Sequence, residues 1–177
     1  QYAIQVAKDN GCLISFDPNL RLSLWKTPEE ARRRILYGMK QCDIMKISEE
    51  EVAFVSEQES LEKGVSFIRD NSDIKILFVT LGNKGSIAYY KDEKIYCGGI
   101  HQEHVVDTTG AGDTFCGAVL SRILELGTDA LTEKDIREML LFANAAASIV
   151  VTRKGALCSM PEPEEIRAAS SLIDKVL

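Results

Sequence analysis

The residues of this chain best suited to chemistry form a short glycine-rich turn that leads into an apolar segment. The turn reads Asp107-Thr-Thr-Gly-Ala-Gly-Asp113 and continues as Thr-Phe-Cys-Gly117. Glycine adopts backbone angles that other residues avoid, so the N–H groups of Gly110 to Asp113 can converge on one point. They precede a predicted helix, residues 113–126, whose N-terminus would add about half a positive charge. The turn is therefore predicted to bind an anion such as a phosphate group.

Asp113 is the unusual residue of this turn, because a bound phosphate repels a carboxylate. We interpret Asp113 as a general base for a hydroxyl group that attacks the phosphate. A helix cap is the alternative, since acidic residues are common at the start of helices. The spacing alone leaves both interpretations open.

The two classical nucleotide-binding fingerprints are absent from the sequence. The chain contains no Gly-x-x-x-x-Gly-Lys-Ser/Thr motif, and Phe115 stands where Gly-x-Gly-x-x-Gly needs its third glycine. Neither a Walker-type phosphate loop nor a Rossmann cofactor site is predicted.

The turn nevertheless resembles the second signature of the PfkB, or ribokinase-like, family of sugar kinases, Asp-Thr-x-Gly-Ala-Gly-Asp-x-Phe, without a departure. Four further segments resemble family elements in the family's order. They are Phe16-Asp-Pro-Asn-Leu-Arg21, Lys46-Ile-Ser-Glu-Glu-Glu51, Thr80-Leu-Gly-Asn-Lys-Gly85, and residues 144–148 together with 151–156. The first of these is similar to fructokinases and 2-keto-3-deoxygluconate kinases. The second departs from the family's Asn-x-x-Glu, because Ser48 replaces the Asn.

The resemblance implies roles for individual residues. Asp113 would be the base, and the turn formed by Gly110, Ala111, Gly112 and Asp113 would be the anion hole for the transferring phosphoryl group. The nucleotide would be bound by Thr80, Gly82 and Gly85, with Asn144 beside the adenine. Asn19 and Arg21 would lie on the phosphate or substrate side.

The resemblance also implies metal ions. Glu51 would contact Mg²⁺ through water, although Ser48-x-x-Glu51 is equally a helix capping box. A potassium ion would be ringed by oxygen atoms, but not all fructokinase-like members depend on one. The matching positions are Asp107, Thr109, Val150, Arg153, Gly155 and Ser159.

The activity that follows is ATP-dependent phosphorylation of a primary hydroxyl group of a sugar. Fructose is the leading substrate, because the segment from Asp17 to Trp25 resembles fructokinases most closely. A 2-keto-3-deoxygluconate kinase, or another sugar kinase of the family, is the alternative within the class. A non-catalytic nucleotide-binding module is the alternative of a different class, although such a module has no need of a base.

The elements that position these residues alternate between strand and helix. Residues 12–16, 43–47 and 74–80 are short apolar runs, which predicts buried parallel strands. Residues 86–90 and 94–97 flank Lys91-Asp-Glu93 and predict a hairpin. Helices are predicted from the cap Thr27 to about Tyr37, over 113–126, and from Thr132 to about Val151. The pattern predicts one α/β domain over residues 1–177, and the resemblance implies a ribokinase-like three-layer α/β/α sandwich with a mainly parallel sheet.

Composition excludes several partner classes. The net charge of −6 offers no basic surface for nucleic acid, and no apolar run is long enough to span a bilayer. The five cysteines are widely spaced, which predicts reduced core thiols in a cytoplasmic protein.

The length of 177 residues is short for the family. Family members carry an earlier segment with most of the sugar-binding residues and a β-sheet lid. We therefore expect the C-terminal, nucleotide-binding and catalytic part of a longer kinase, and the sequence leaves open whether this part is active alone. A homodimer of the full-length protein is implied only by the lid strands, which would precede Gln1.

Overall fold

The computed structural model describes residues 1–173 and divides the chain into two compact units. Unit 1 comprises Gln1–Thr80 and Tyr89–Asp92, and unit 2 comprises Leu81–Ala88 and Glu93–Leu177. Five strands form one mixed sheet in the order β1-β2-β3-β4-β5. The prediction of a single domain over 1–177 stays a prediction.

The strands of unit 1 are parallel, as the apolar runs predict. They are β1 (Ser15–Phe16), β2 (Ile44–Ser48) and β3 (Ile76–Thr80). In both β2 and β3, every residue except the last is buried. This pattern is typical of a sheet that is covered on both faces, so that side chains on either face lie in the core. Ser48 pairs with Thr80, so these two strands end at the same level.

Strand β1 is shorter than the predicted 12–16 because a side chain replaces part of the backbone ladder. The Asp43 carboxylate accepts a hydrogen bond from the Ile14 amide at 2.8 Å, and the Asp43 amide donates to the Ile14 carbonyl at 2.8 Å. Regular pairing with β2 therefore begins only at Ser15.

The helices of unit 1 are α1 (Tyr2–Asp9), α2 (Pro28–Met39), α3 (Glu49–Ser56) and α4 (Leu61–Asp70). Thr27 caps α2 by accepting from the Glu30 amide, as predicted. The helix continues to Met39, two residues past the expected end, because Met39 extends the buried stripe of Ala31 and Ile35 at a spacing of four. The capping box Ser48-x-x-Glu51 indicated a possible start for α3, but the extent of α3 and the whole of α4 were not predicted.

Unit 2 contains residues 85–88 of β4 (Gly85–Tyr90) and all of β5 (Glu93–Gly98). Its helices are α5 (Ala111–Leu126), α6 (Glu133–Val150) and α7 (Pro163–Ile173). The hairpin turn has two residues, Lys91-Asp92, rather than the predicted three, and Lys91 adopts the left-handed φ of 50° that such turns need. A capping box of Thr132 and Asp135 opens α6, as predicted. Helix α5 packs against α6 and buries Phe115, Val119 and Ile123.

The cysteines correct one prediction. All five are free thiols, but only Cys42 and Cys97 are buried, whereas Cys12 and Cys158 are exposed. Burial raises the pKa of the Cys42 thiol to about 12. Among residues 1–173, no helix combines the length and apolar character needed to cross a membrane.

Candidate active site

The glycine-rich turn of unit 2 forms the start of α5. The helix begins at Ala111, two residues earlier than predicted, and Gly110 is its N-cap with φ 82°. The first intrahelical bond runs from the Thr114 amide to the Gly110 carbonyl at 2.8 Å, while the Ala111 amide donates to Thr108 at 3.3 Å. First-turn amides such as those of Gly112 and Asp113 have no acceptor inside their helix. They are therefore available to an anion.

Asp113 lies in the first turn of α5 and is exposed. The N-cap is Gly110, which has no side chain to make a cap hydrogen bond. Asp113 is therefore not the N-cap residue of α5, and its carboxylate lies in the first turn, where a negative charge also stabilises the helix. Buried Phe115 and Val119 set the rotation of the helix, so Asp113 is presented to solvent.

Asp107 joins the turn to a second loop of the same unit. Its carboxylate accepts from the Thr109 amide at 2.9 Å and from the Gly155 amide at 3.3 Å. The Val106 amide also donates to the Val151 carbonyl at 2.8 Å. A hydrogen bond with the Thr109 side chain, followed by the amides of Thr109 and Gly155, lowers the pKa of Asp107.

The second loop, residues 150–159, carries the other oxygen atoms of the predicted potassium site. Ser159 is 1% exposed, and its hydroxyl donates to the Gly155 and Ala156 carbonyls. The Val150 carbonyl accepts from the Arg153 amide at 3.0 Å. Hydrogen bonds thus gather Asp107, Thr109, Gly155 and Ser159. Their carboxylate, carbonyl and hydroxyl oxygens are the donor types that hard cations prefer.

Clusters of three or more acidic, His or Cys residues able to hold a metal do not occur in residues 1–173. A cation in unit 2 would therefore depend mainly on carbonyl oxygens, with Asp107 as the carboxylate.

The loop that follows β3 is tightly held by its own unit. The Leu81 amide donates to Gly85 at 2.8 Å, and the Tyr96 hydroxyl donates to the Lys84 carbonyl at 2.7 Å. A Cβ on Gly85 would lie 2.2 Å from the Cys97 carbonyl oxygen, whereas one on Gly82 would meet nothing within 4 Å. Backbone packing therefore requires glycine at position 85. At position 82 there is space for a side chain, but the left-handed φ of 61° favours glycine.

Asn144 lies in the middle of α6 and is 7% exposed. Its oxygen accepts from the Ser86 hydroxyl at 2.9 Å, and its nitrogen donates to the carbonyls of Cys97 and Gly98, each at 3.2 Å. A polar amide is costly in an apolar helix unless it is paired, and both the oxygen and the nitrogen of this amide are hydrogen-bonded. It ties α6 to the start of β4 and the end of β5.

Replacing Asn144 by Ala should destabilise the chain by about 2 kcal/mol, because three hydrogen bonds are lost, those to Ser86 and the Cys97 carbonyl being buried. That corresponds to a drop of about 4–8 °C in Tm for a protein of this size. Thermal unfolding followed by circular dichroism measures it. Asn71→Ala, which removes an exposed amide bound to the Phe67 carbonyl, should cost less than about 0.5 kcal/mol. Equal Tm values for the two variants would contradict the prediction.

Unit 1 places its predicted residues beyond the carboxyl ends of β1 and β2, the edge where ligands bind in open α/β sheets. Asn19 and Arg21 are both exposed, and Asn19 has the left-handed φ of 43°. Arg21 donates to the Leu20 carbonyl at 3.2 Å.

The capping-box interpretation of Ser48 and Glu51 is confirmed. The Ser48 hydroxyl accepts from the Glu51 amide at 3.2 Å, and the Glu51 carboxylate accepts from the Ser48 amide at 2.9 Å. The other carboxylate oxygen accepts from the Leu20 amide at 2.6 Å. Both oxygens of Glu51 are thus engaged, and each retains a lone pair for a water molecule.

Sequence reasoning missed the ion pair of Lys46 with Asp17 at 3.2 Å. Lys46 lies inside β2 and is only 7% exposed, whereas lysines at strand ends are usually solvated. Burial raises the pKa of Asp17, and the charge of Lys46 opposes that rise. The available signal was a lysine within an apolar strand, where a charge requires a partner.

The family described as pfkB family carbohydrate kinase matches residues 1–163. Fructokinase-1 of Oryza sativa subsp. japonica is 42% identical over 166 residues, which cover 93% of this chain and 50% of the rice protein. The chain spans about half the length of the first curated relatives it matches.

Solved structures agree in fold. A double mutant of fructokinase from Vibrio cholerae O395, bound to fructose, ADP and potassium, has a TM-score of 0.85 at 33% identity, covering 94% of this chain and 53% of that one. An E. coli protein of the ribokinase II type, in complex with ATP and Mg²⁺, has a TM-score of 0.80 at 31% identity, covering 96% and 52%.

The family match covers residues 1–163, that is, all of the sequence except its last fourteen residues. The predicted α/β fold with a mainly parallel sheet of the ribokinase-like type is confirmed by the strand pairing and by these structures. This chain therefore belongs to the pfkB family of carbohydrate kinases.

Proposed function

We propose that the protein carrying this chain is an ATP-dependent sugar kinase that phosphorylates a primary hydroxyl group of fructose. The observation that carries the proposal is the turn 110–113 in a chain of this family: an exposed Asp113, not used as a cap, stands beside helix N-terminal amides. A base next to an anion site is what transfer of a phosphoryl group to a hydroxyl requires.

In the proposed reaction, the Asp113 carboxylate takes the proton of the attacking hydroxyl group. The hydroxyl oxygen forms a bond to the γ-phosphorus, the bond from that phosphorus to the β–γ bridging oxygen breaks, and ADP leaves. The Gly112 and Asp113 amides, with the turn at Gly110 and Ala111, donate to the phosphoryl oxygens as negative charge spreads over them.

The nucleotide is proposed to lie against Thr80, Gly82 and Gly85, with Asn144 near the adenine. The amide of Asn144 is already bound to backbone and Ser86. We therefore propose that Asn144 holds the Gly98 end of β5 in position beside the adenine ring of ATP.

Bound metal ions would supply charge neutralisation at the phosphates. Glu51 is proposed to contact Mg²⁺ through water, because both carboxylate oxygens already accept amide hydrogen bonds. Potassium is proposed for the loop cluster of unit 2, in which the Asp107 carboxylate is held by two amides. The predicted ring comprises Asp107, Thr109, Val150, Arg153, Gly155 and Ser159.

Fructose is favoured as the substrate because fructokinases of rice and Vibrio cholerae are among the similar proteins. Asn19 and Arg21 are proposed to face the substrate or its phosphate, where the guanidinium can bind oxygen atoms in pairs. We further propose that the full-length protein is a cytoplasmic homodimer. Residues 1–177 are proposed to form a single α/β domain, the C-terminal part of the longer kinase.

The test is ATP-dependent phosphorylation of fructose, ribose and 2-keto-3-deoxygluconate by the complete protein that carries these 177 residues. Turnover of fructose with the highest kcat/KM is expected. Preference for 2-keto-3-deoxygluconate would replace the substrate but keep the class. Binding of Mg²⁺ and ATP without turnover of a broad sugar panel would favour the non-catalytic module.

A further inference from the structure

The segment Asp17–Arg21, here called the rim loop, is held to the rest of unit 1 by two buried charged side chains. We propose that Lys46 and Glu51 are positioning residues that clamp the rim loop and thereby place Asn19 and Arg21. The proposal rests on the proposed function for its kinetic consequence, but its structural part stands on the contacts alone.

Lys46 anchors the start of the loop. It lies in β2 between Met45 and Ile47, which are both 0% exposed, and its ammonium group is 3.2 Å from the Asp17 carboxylate. Taking a lysine and a carboxylate out of water is unfavourable, and their mutual attraction does not reliably compensate for that loss of hydration. An apolar residue would suit this strand position better for stability alone. We therefore explain the ion pair by its role in positioning the rim loop and not by a contribution to the stability of the fold.

The same carboxylate shapes the loop. One oxygen of Asp17 binds Lys46, and the other accepts from the Asn19 amide at 3.1 Å. This short turn accompanies the left-handed φ of 43° at Asn19, a conformation that Asn tolerates better than most residues. Lys46 thus fixes Asp17, and Asp17 fixes the backbone of Asn19.

Glu51 anchors the end of the loop. Capping α3 uses one of its carboxylate oxygens, which accepts from the Ser48 amide. The second oxygen accepts from the Leu20 amide at 2.6 Å, across 31 residues of sequence. Because Glu51 is 8% exposed and fixed by the helix cap, it holds the amide next to Arg21 rigidly.

Arg21 itself is exposed, and its guanidinium is not part of an ion pair among the described residues. Its position therefore depends on the loop backbone. If Arg21 binds an anionic oxygen of the substrate or phosphate, as proposed, releasing the clamp should weaken that contact without touching the base.

Trp25 offers a direct reporter, since it is the single tryptophan of the chain. Trp25 is 36% exposed and helps to line a cavity of about 530 Å³ together with Phe16 and Tyr37. It follows the rim loop by four residues. A loop that detaches from β2 should expose the indole further.

The test compares Lys46→Met, which keeps the length of the stem, with Lys46→Arg and with the control Lys63→Met at an exposed position of α4. Acrylamide quenching of Trp25 in the 177-residue chain should increase in Lys46→Met, return towards the original value in Lys46→Arg, and stay unchanged in Lys63→Met. In the complete protein, KM for the sugar should rise about tenfold, the equivalent of one lost charge-assisted hydrogen bond, with kcat nearly unchanged.

A second variant separates positioning from stability. Asp17→Asn with Lys46→Met removes both charges of the ion pair and keeps an acceptor for the Asn19 amide, so it should be more stable than Lys46→Met while Trp25 quenching stays high. Quenching at the original level in this folded double variant would overturn the proposal. An inactive complete protein would refute the proposed function, whereas the quenching result would still decide whether Lys46 holds the loop.

Discussion

Asp113→Asn should lower kcat for sugar phosphorylation by about 10²- to 10⁴-fold, the usual contribution of a general base. Asparagine keeps the size of the side chain but does not accept the proton of the attacking hydroxyl. KM for ATP should change little, because the helix N-terminal amides remain in place. Steady-state kinetics of the complete protein, at saturating sugar and ATP, measure the effect.

The change also removes one negative charge at a helix start, so it needs a matched control. Glu133→Gln removes an exposed carboxylate from the first turn of α6. That control should leave kcat within about twofold, since surface charges of this kind contribute less than about 1 kcal/mol. A kcat for Asp113→Asn as high as that of Glu133→Gln would refute Asp113 as the base.

Gly85→Ala should destabilise the chain by about 3 kcal/mol or more, lowering Tm by about 6–12 °C. Its new Cβ would lie 2.2 Å from the Cys97 carbonyl oxygen and 2.4 Å from the Gly99 amide nitrogen. These are backbone atoms of the strand end opposite, so the clash is relieved only by opening β4 from β5. The φ of 106° adds strain for any residue with a Cβ.

Two other glycines separate these causes. Gly82→Ala meets no atom within 4 Å but has φ 61°, so it should cost only about 1–2 kcal/mol of backbone strain. Gly117→Ala lies in open space on α5 and should stabilise the helix by about 0.5–1 kcal/mol. Thermal unfolding of the three variants should give this order. A Gly85→Ala protein as stable as Gly82→Ala would show that the close approach is not rigid.

The local order of elements follows from local signals. Thr27 and Thr132 cap the helices that the sequence predicts, because a hydroxyl group just before a helix can accept a hydrogen bond from a first-turn amide that has no partner inside the helix. The buried runs of β2 and β3 are equally local, since apolar residues on both faces are typical of covered strands. Apart from the capping box that opens α3, these two helices escaped prediction, because α3 is eight residues long and α4 contains Gly64 within its apolar stripe.

The candidate site divides in the same way. The turn from Gly110 to Asp113 and its helix could be read directly from residue types, because glycine, carboxylate and apolar run are consecutive. By contrast, the sequence left open whether Asp113 caps α5, and the structure places Gly110 at the cap.

By itself, the sequence determined the alternation of strands and helices, the glycine-rich turn and the resemblance to one family, since these depend on neighbouring residues. Only the tertiary structure decided that Lys46 pairs with Asp17, that Glu51 holds the Leu20 amide, and that Asn144 binds the backbone of β5. The physical reason is that a buried charge or amide requires a partner, but that partner lies 29 to 47 residues away along the chain. Folding, rather than local spacing, selects it.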